Sequence, residues 1–223
     1  MRFAPFGFLN NQPTVVLEPS LTYITNTGIT TDTTIYTFTN VNVTSSGLVV
    51  VSIHSENNTT ATISSVTING SAASIAVQRV GTSANSYATS GIAYGRITGT
   101  TATIVVTFSA GRARCLIGVW RIDNNISDTP ISSNSSAAAS GTGLSIDLTN
   151  TSLTNMGVVA QTNGTQNTTV SYTNATERYN VAPESATQAS GGDYTTTTSG
   201  TRTVSTSFTS STQPICLTGA VWN

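Results

Sequence analysis

Apolar and polar residues alternate with a period of two along much of this chain. In 101–108 every second residue is apolar, and the same alternation occurs in 143–148. Thr, Val and Ile are branched at Cβ and fit a pleated strand better than a helix. This pattern predicts half-buried β-strands, and no segment has a convincing helical period.

Strands are predicted at 21–25, 34–42, 48–55, 62–68, 74–79, 87–97, 101–108, 113–122, 143–148, 156–161, 168–173, 177–181, 194–198, 201–208 and 215–222. Many short strands without helices are typical of a sandwich. We therefore expect an all-β fold, an antiparallel β-sandwich with jelly-roll or Ig-like topology.

The chain contains one strand sequence twice. Gly99–Trp120 and Gly200–Trp222 each run through a Thr-rich strand that ends in Phe, followed by a strand that begins near Cys and ends in Trp. A spacing of about 100 residues suits a duplicated β-fold better than a solenoid. We expect an extended N-terminal arm, residues 1–19, and a sandwich, residues 20–223, made of two similar halves, about 20–126 and 143–223.

Two arrangements of the halves are open. In the first choice they build one two-sheet sandwich; in the second they form tandem sandwiches separated by a linker within 127–143. The spacing from Cys115 to Trp120 is one residue shorter than that from Cys216 to Trp222. Because one residue reverses the facing of a strand, either a β-bulge near Gly219 restores it or the two Trp are not equivalent.

Charge is scarce in this chain. Charged residues make up 8 % of it, against about 25 % in an average protein, and Lys is absent. A net charge of −1 provides no broad basic face, so neither nucleic acid nor an anionic membrane is expected as a partner. No secretion signal is recognised at the N-terminus, and no stretch approaches the length of a membrane span.

Few residues could carry chemistry. His54, the only histidine, shares a strand face with Ser52, and we expect it at the surface or a sheet edge, with a catalytic role as the alternative. The acids have no spacing typical of a calcium loop or a glycosidase and are expected to be solvated or salt-bridged. Catalytic, cofactor-binding and metal-binding residues are therefore predicted as none.

Two further pairs have alternative interpretations. Cys115 and Cys216 are expected as buried free thiols, with a disulfide or a reactive thiol as the alternatives. Arg112 and Arg114 lie on one face and are expected at a solvated rim, or else as a grip on a carboxylate or a partner.

The N-terminus has the highest aromatic density in the chain. Its candidate partner-binding residues are Phe3, Pro5, Phe6, Phe8 and Leu9. Burying one Phe contributes roughly 1.5–3 kcal/mol, so this arm is expected to dock, either on its own sandwich or on a neighbouring protein.

Three segments also support a resemblance. Leu48–Ile53, Ile63–Gly70 and Ala113–Trp120 resemble β-sandwich virion structural proteins of tailed bacteriophages and prophages, and Met1–Leu9 is similar to the starts of phage structural proteins. The resemblance implies a non-enzymatic virion component, assembled in the bacterial host cytoplasm, with no catalytic residues and no cofactor.

The resulting hypothesis is a capsid decoration or cement protein that stabilises the phage head through its N-terminal arm and one sandwich edge. Its expected partner is the major capsid protein or another virion protein, and a homo-oligomer, in the first instance a trimer, is expected. The alternative is a tail-fibre, receptor-binding or carbohydrate-binding module that uses Tyr87, Tyr94 or Tyr194 to stack on sugars. A hydrolase on a jelly-roll scaffold is the third hypothesis.

Overall fold

A computed structural model describes residues 17–84, 86–165, 169–184 and 187–223, in which the regular elements are sixteen β-strands. The first half of the strands comprises β1 (Ser20–Ile29), β2 (Thr33–Asn42), β3 (Gly47–Asn57), β4 (Ile63–Ile68), β5 (Ser71–Ser83), β6 (Ser86–Ile97), β7 (Thr101–Arg112) and β8 (Arg114–Asp123). The second half comprises β9 (Ser132–Ala138), β10 (Gly141–Asn150), β11 (Asn155–Asn163), β12 (Ser171–Thr173), β13 (Thr176–Glu184), β14 (Thr187–Thr196), β15 (Gly200–Ser211) and β16 (Ile215–Trp222).

The strands pair antiparallel throughout, which confirms the predicted fold class. The first half forms one nearly closed sheet in the order β1-β8-β3-β6-β5-β4-β7-β2. The second half forms two sheets, β13-β14-β11-β16-β9 and β10-β15-β12. Raising each strand number of the first half by eight reproduces the neighbours in both sheets of the second. The connectivity therefore occurs twice, and β1-β8-β3-β6 opposite β2-β7-β4-β5 is the strand order of a jelly roll.

The core is divided into layers. One apolar cluster, which includes Ile117, fills the interior of the first half, and another, which includes Leu148, fills the second. A further cluster with Trp120, Met156 and Trp222 lies between the halves. Each half is thus a sandwich of its own, and the two pack against each other. This differs from the single two-sheet sandwich that was the first choice.

The packing of the two halves explains why the sequence of strand β3 is apolar on both faces. Val49 and Val51 face the core of the first half, whereas Leu48 and Val50 face the second half. All four side chains are fully buried. A strand that is covered on both faces carries apolar residues in a continuous run rather than at alternate positions, and residues 48–51 of β3 form such a run.

The two segments that run from Cys to Trp match neither of the two expectations, which were a β-bulge near Gly219 or two tryptophans that are not equivalent. Strand β16 pairs with β11 and β9 in unbroken register, so no bulge occurs near Gly219. Trp120 and Trp222 nevertheless both face the interface between the halves. The cysteines differ instead: Cys115 lies in the core of the first half, and the Sγ of Cys216 lies 3.5 Å from a carbonyl oxygen of β6 across the interface.

The expected linker contains a strand. Within 127–143, β9 pairs with β16 from Ser132 opposite Val221 to Ala138 opposite Ile215. Strand pairing uses backbone groups and does not require apolar side chains. Composition alone therefore misidentified this Ser- and Ala-rich segment.

Strand β14 begins well before its predicted start at 194. Gly191 and Gly192, which precede the predicted start, both lie inside the strand. A Cβ at Gly191 would lie 2.5 Å from the Cε1 atom of Tyr179, so glycine here allows the Tyr179 ring to approach the backbone.

Candidate functional site

His54 is buried, so its expected place at the surface or an edge is wrong. Its side chain is 1 % exposed because the second half covers this face of β3. Its Nδ1 lies 2.9 Å from the Thr162 hydroxyl, and its Nε2 lies 2.6 Å from the Tyr179 hydroxyl. Burial lowers the pKa of His54 to about 3, so the imidazole is neutral at physiological pH.

The Tyr179 hydroxyl also joins His54 to Ser52. It lies 2.6 Å from the Ser52 Oγ, which in turn accepts a hydrogen bond of 3.1 Å from the Gly118 amide. Burial raises the pKa of Tyr179 well above its ordinary value. Serine and histidine are thus bridged by a phenol between two packed sheets, without exposure to a substrate. The hydrogen-bonded residues Ser52, His54 and Tyr179 therefore join the two halves.

A carboxylate forms a second connection. Asp193 is 3 % exposed, and one of its oxygens accepts a hydrogen bond of 2.7 Å from Trp120 Nε1. Arg178 donates to both carboxylate oxygens at 2.8 Å. Residues of β8, β13 and β14 therefore meet at one buried charge, which satisfies the requirement that such a charge be paired.

Arg112 does not lie at a solvated rim. The side chain is fully buried, and it donates to Ser55 Oγ at 2.6 Å, to the Thr59 carbonyl at 2.5 Å and to the Tyr87 carbonyl at 2.6 Å. Desolvation lowers its pKa from the ordinary value for arginine. Because its donors are bound within the first half, Arg112 cannot grip a ligand.

Arg114 also lies inside the molecule. Its Nη1 is 3.8 Å from a Glu56 carboxylate oxygen and 3.2 Å from the Thr187 hydroxyl. The contact spans β8, β3 and β14, so it too joins the halves. Neither arginine therefore lies at a solvated rim, and the carboxylate that Arg114 contacts is the protein's own Glu56.

Cys115 and Cys216 are buried free thiols, as expected. Desolvation raises the pKa of both, that of Cys216 to about 12. In the described residues no group of three His, Cys, Asp or Glu side chains could hold a metal ion. The same part of the chain has no helix with the length and apolar character needed to span a bilayer.

The three tyrosines of the sugar-binding alternative differ in accessibility. Tyr194 is 5 % exposed and lies beneath Arg202, whose guanidinium carbon is 4.5 Å from the ring centre. Its ring face is not open for stacking. Tyr87 and Tyr94 are half-buried, and Tyr94 lines a shallow pocket of about 260 Å³.

The five candidate arm residues, Phe3, Pro5, Phe6, Phe8 and Leu9, lie outside the described residues. The described chain begins at Leu17, directly before β1. The Asn124 side chain, just past the end of β8, donates a hydrogen bond of 3.2 Å to the Glu18 carbonyl. This fixes the place where the N-terminal segment joins the molecule.

That end of the molecule exposes large apolar side chains. Leu17 is 63 % exposed, Ile126 66 % and Leu153 47 %. The Ile126 amide donates to the Asn223 carbonyl at 2.7 Å, and Leu153 lies just before β11, whose first residues pair with the end of β16. We call this surface, formed by Leu17, Ile126 and Leu153, the arm-bearing end.

Sequence reasoning missed Ile126 and Leu153. Each is an isolated large apolar residue in a polar loop. Because loops run over the protein surface, such a residue is expected to be exposed. The end is recognised only when the strands bring the two loops together.

Comparison of the chain with protein-family models, with curated proteins and with solved structures finds no match.

Proposed function

We propose that this protein is a non-enzymatic structural protein of a bacteriophage virion, a capsid decoration or cement protein. Its partner is the major capsid protein or another virion protein, and it acts as a homo-oligomer. It attaches through its N-terminal arm and the arm-bearing end. Assembly takes place in the cytoplasm of the bacterial host.

The observation that carries the proposal is the apolar character of one end. Leu17, Ile126 and Leu153 are solvated there, next to the point where the Phe-rich segment 3–9 joins the chain. Fully burying a side chain of this kind contributes roughly 1.5–3 kcal/mol, so a partner that covers this end gains affinity from each. By contrast, Ser52, His54, Asp193 and both thiols are buried in internal contacts.

The proposed mechanism is thermodynamic linkage. A protein that binds the mature shell, and not its broken state, stabilises the shell by an amount that grows with ligand concentration over Kd. The scarcity of charge supports dense packing of copies, because few like charges repel one another. The two sandwiches are joined by a buried apolar cluster, which would hold them together in this role.

The test uses particles released by a bacterial strain that carries the gene. Purified full chain and a chain lacking residues 2–12 are added to particles stripped of the protein, and occupancy is measured by sedimentation. We expect the full chain to bind and the truncated chain, shown to be folded by its thermal transition, to remain in the supernatant. Equal occupancy by the truncated chain would contradict a role of the arm.

A second proposal, carbohydrate binding, is favoured by one pocket. Tyr94 lines it together with Arg96 and Asp128, which form an ion pair at its rim. An aromatic ring beside planar polar groups suits a sugar ring. Glycan-array binding that disappears in Tyr94→Ala, and persists in Tyr87→Ala, would support this proposal over attachment to a shell.

A further inference from the structure

The sheet of the first half is not closed. Strands β1 and β2 are its two edges, and a groove of about 530 Å³ separates them. Residues 22–25 and 27 of β1 form one wall, and residues 39–42 of β2 with Thr44 just beyond it form the other. We call this groove the seam.

Both walls of the seam have an open strand edge. In the described residues β1 pairs only with β8, and β2 only with β7. Each strand has a register shift at the seam, between Tyr23 and Thr25 and between Phe38 and Val41. Across the seam β1 and β2 are not paired in the described residues, and a bulge bends a strand and increases its twist. An open edge offers unpaired backbone groups to another strand.

The chemistry of the seam defines what fits into it. Ile24, on one wall, packs against the core, and Val41, on the other, is 6 % exposed. The other wall residues carry mainly hydroxyl and amide groups, and none is charged. An uncharged, extended segment with large apolar side chains at alternate positions matches this surface, because such side chains point to one face of a strand.

We propose that the seam binds residues 3–9 of a second copy of this chain. That segment has no charged residue, and in an extended conformation Phe6 and Phe8, on either side of Gly7, would point to one face. Addition of a strand to a sheet edge, with side chains in alternate pockets, is an established mode of peptide recognition.

The position of the N-terminus favours a second copy over the segment's own seam. Asn124 holds the Glu18 carbonyl on the β8 side of β1, which is the edge opposite to the seam. A chain's own arm would have to reverse its direction around the start of β1 to reach the seam, whereas the arm of a neighbouring copy would not. The inference rests on the proposed function and deepens it: the arm would link each copy to its neighbour on the particle, and the arm-bearing end would contact the shell.

The test measures the mass of the protein in solution by light scattering over a wide concentration range. We expect the full chain to show a multiple of 23.0 kDa, and a chain lacking residues 2–12 to be a monomer. A seam variant, Thr27→Asp with Thr39→Asp, should also be a monomer, since it places charge on both walls. The control, Thr149→Asp with Thr209→Asp, alters exposed threonines of β10 and β15 and should keep the oligomer.

Mixing the truncated chain with the seam variant gives the decisive measurement. The truncated chain has an intact seam and no arm, and the seam variant has an arm and a blocked seam. We expect a mixed complex from these two, although neither associates alone, and this also shows that both are folded. A full chain that is a monomer overturns the inference; this is the result expected if the arm binds its own seam or a foreign protein. An oligomer that persists in the truncated chain or in the seam variant overturns it as well. These masses are measured without particles, so failure here leaves attachment to a shell to its own test.

Discussion

The indole nitrogen of Trp120 lies 2.7 Å from a carboxylate oxygen of Asp193, and this hydrogen bond joins the first half of the chain to the second. Trp222 faces the same interface, but its Nε1 donates to the backbone carbonyl of Asp128 at 2.8 Å. Two buried indoles with similar surroundings thus have acceptors of different charge.

This difference predicts the effect of removing each donor. Trp120→Phe should lose a hydrogen bond to a charged group, worth about 1.5–3 kcal/mol, whereas Trp222→Phe loses a neutral one, worth about 0.5–1.5 kcal/mol. The loss of ring volume is common to both, so the comparison isolates the acceptor. Urea denaturation measures the free energy of unfolding, and a smaller loss for Trp120→Phe than for Trp222→Phe would contradict the prediction.

His54 should make stability depend on pH. Its pKa of about 3 in the folded protein lies below the ordinary 6.5, so under mild acid the unfolded chain binds a proton that the folded protein does not. The free energy of unfolding is therefore highest above about pH 6.5 and decreases as the pH falls, by at most about 1.4 kcal/mol per pH unit.

The measurement is urea denaturation between about pH 7 and pH 5, above the range in which most carboxyl groups titrate. Because His54 is the only histidine, His54→Gln should flatten the dependence in this interval. An unchanged slope in the variant would show that the burial of His54 does not control it.

Gly118 should be intolerant of a methyl group. A Cβ there would lie 2.4 Å from Tyr179 Cε1 and 2.7 Å from Ser52 Oγ. Gly118→Ala should therefore displace Tyr179 and cost about 1–3 kcal/mol through overpacking. Gly28→Ala is the control, because its Cβ would have no neighbour closer than 3.5 Å. Thermal denaturation should separate the two, and equal transitions would refute the close approach of Tyr179.

Cys115 and Cys216 report on how the halves come apart. Burial raises the pKa of both thiols, so neither should react with a thiol reagent in the folded protein. We expect pulse labelling in increasing urea to give one midpoint for both, since the halves share a buried cluster. Mass spectrometry distinguishes the two labelled peptides. Earlier labelling of Cys216, which lies at the interface, would show that the halves separate before they unfold.

The alternation of apolar and polar residues predicted much of this fold, because a strand with one buried face produces that alternation. Strands such as β7 and β10 follow from period-two alternation, and the antiparallel sandwich follows from their number. Strand β9 was missed because its Ser- and Ala-rich sequence has no such alternation. The first part of β14 was missed because Gly191 and Gly192 carry no side chain that could contribute to an alternation.

The interface between the halves could not be predicted in the same way. Ser52 and His54 share one face of β3, which in a single sandwich would be the solvent face. That face is covered only because a second sandwich packs on it, and this contact leaves no local signal in the sequence. The same holds for the arm-bearing end, where strand pairing places loops that are distant in sequence at one end of the molecule.

Imaging of the assembled particle by electron cryomicroscopy tests the central claim most directly. We predict density for the double sandwich on the outer surface of the phage head, with Leu17, Ile126 and Leu153 turned towards the shell. Density confined to the tail, or a molecule on the head with the opposite end against the shell, would contradict the proposed function.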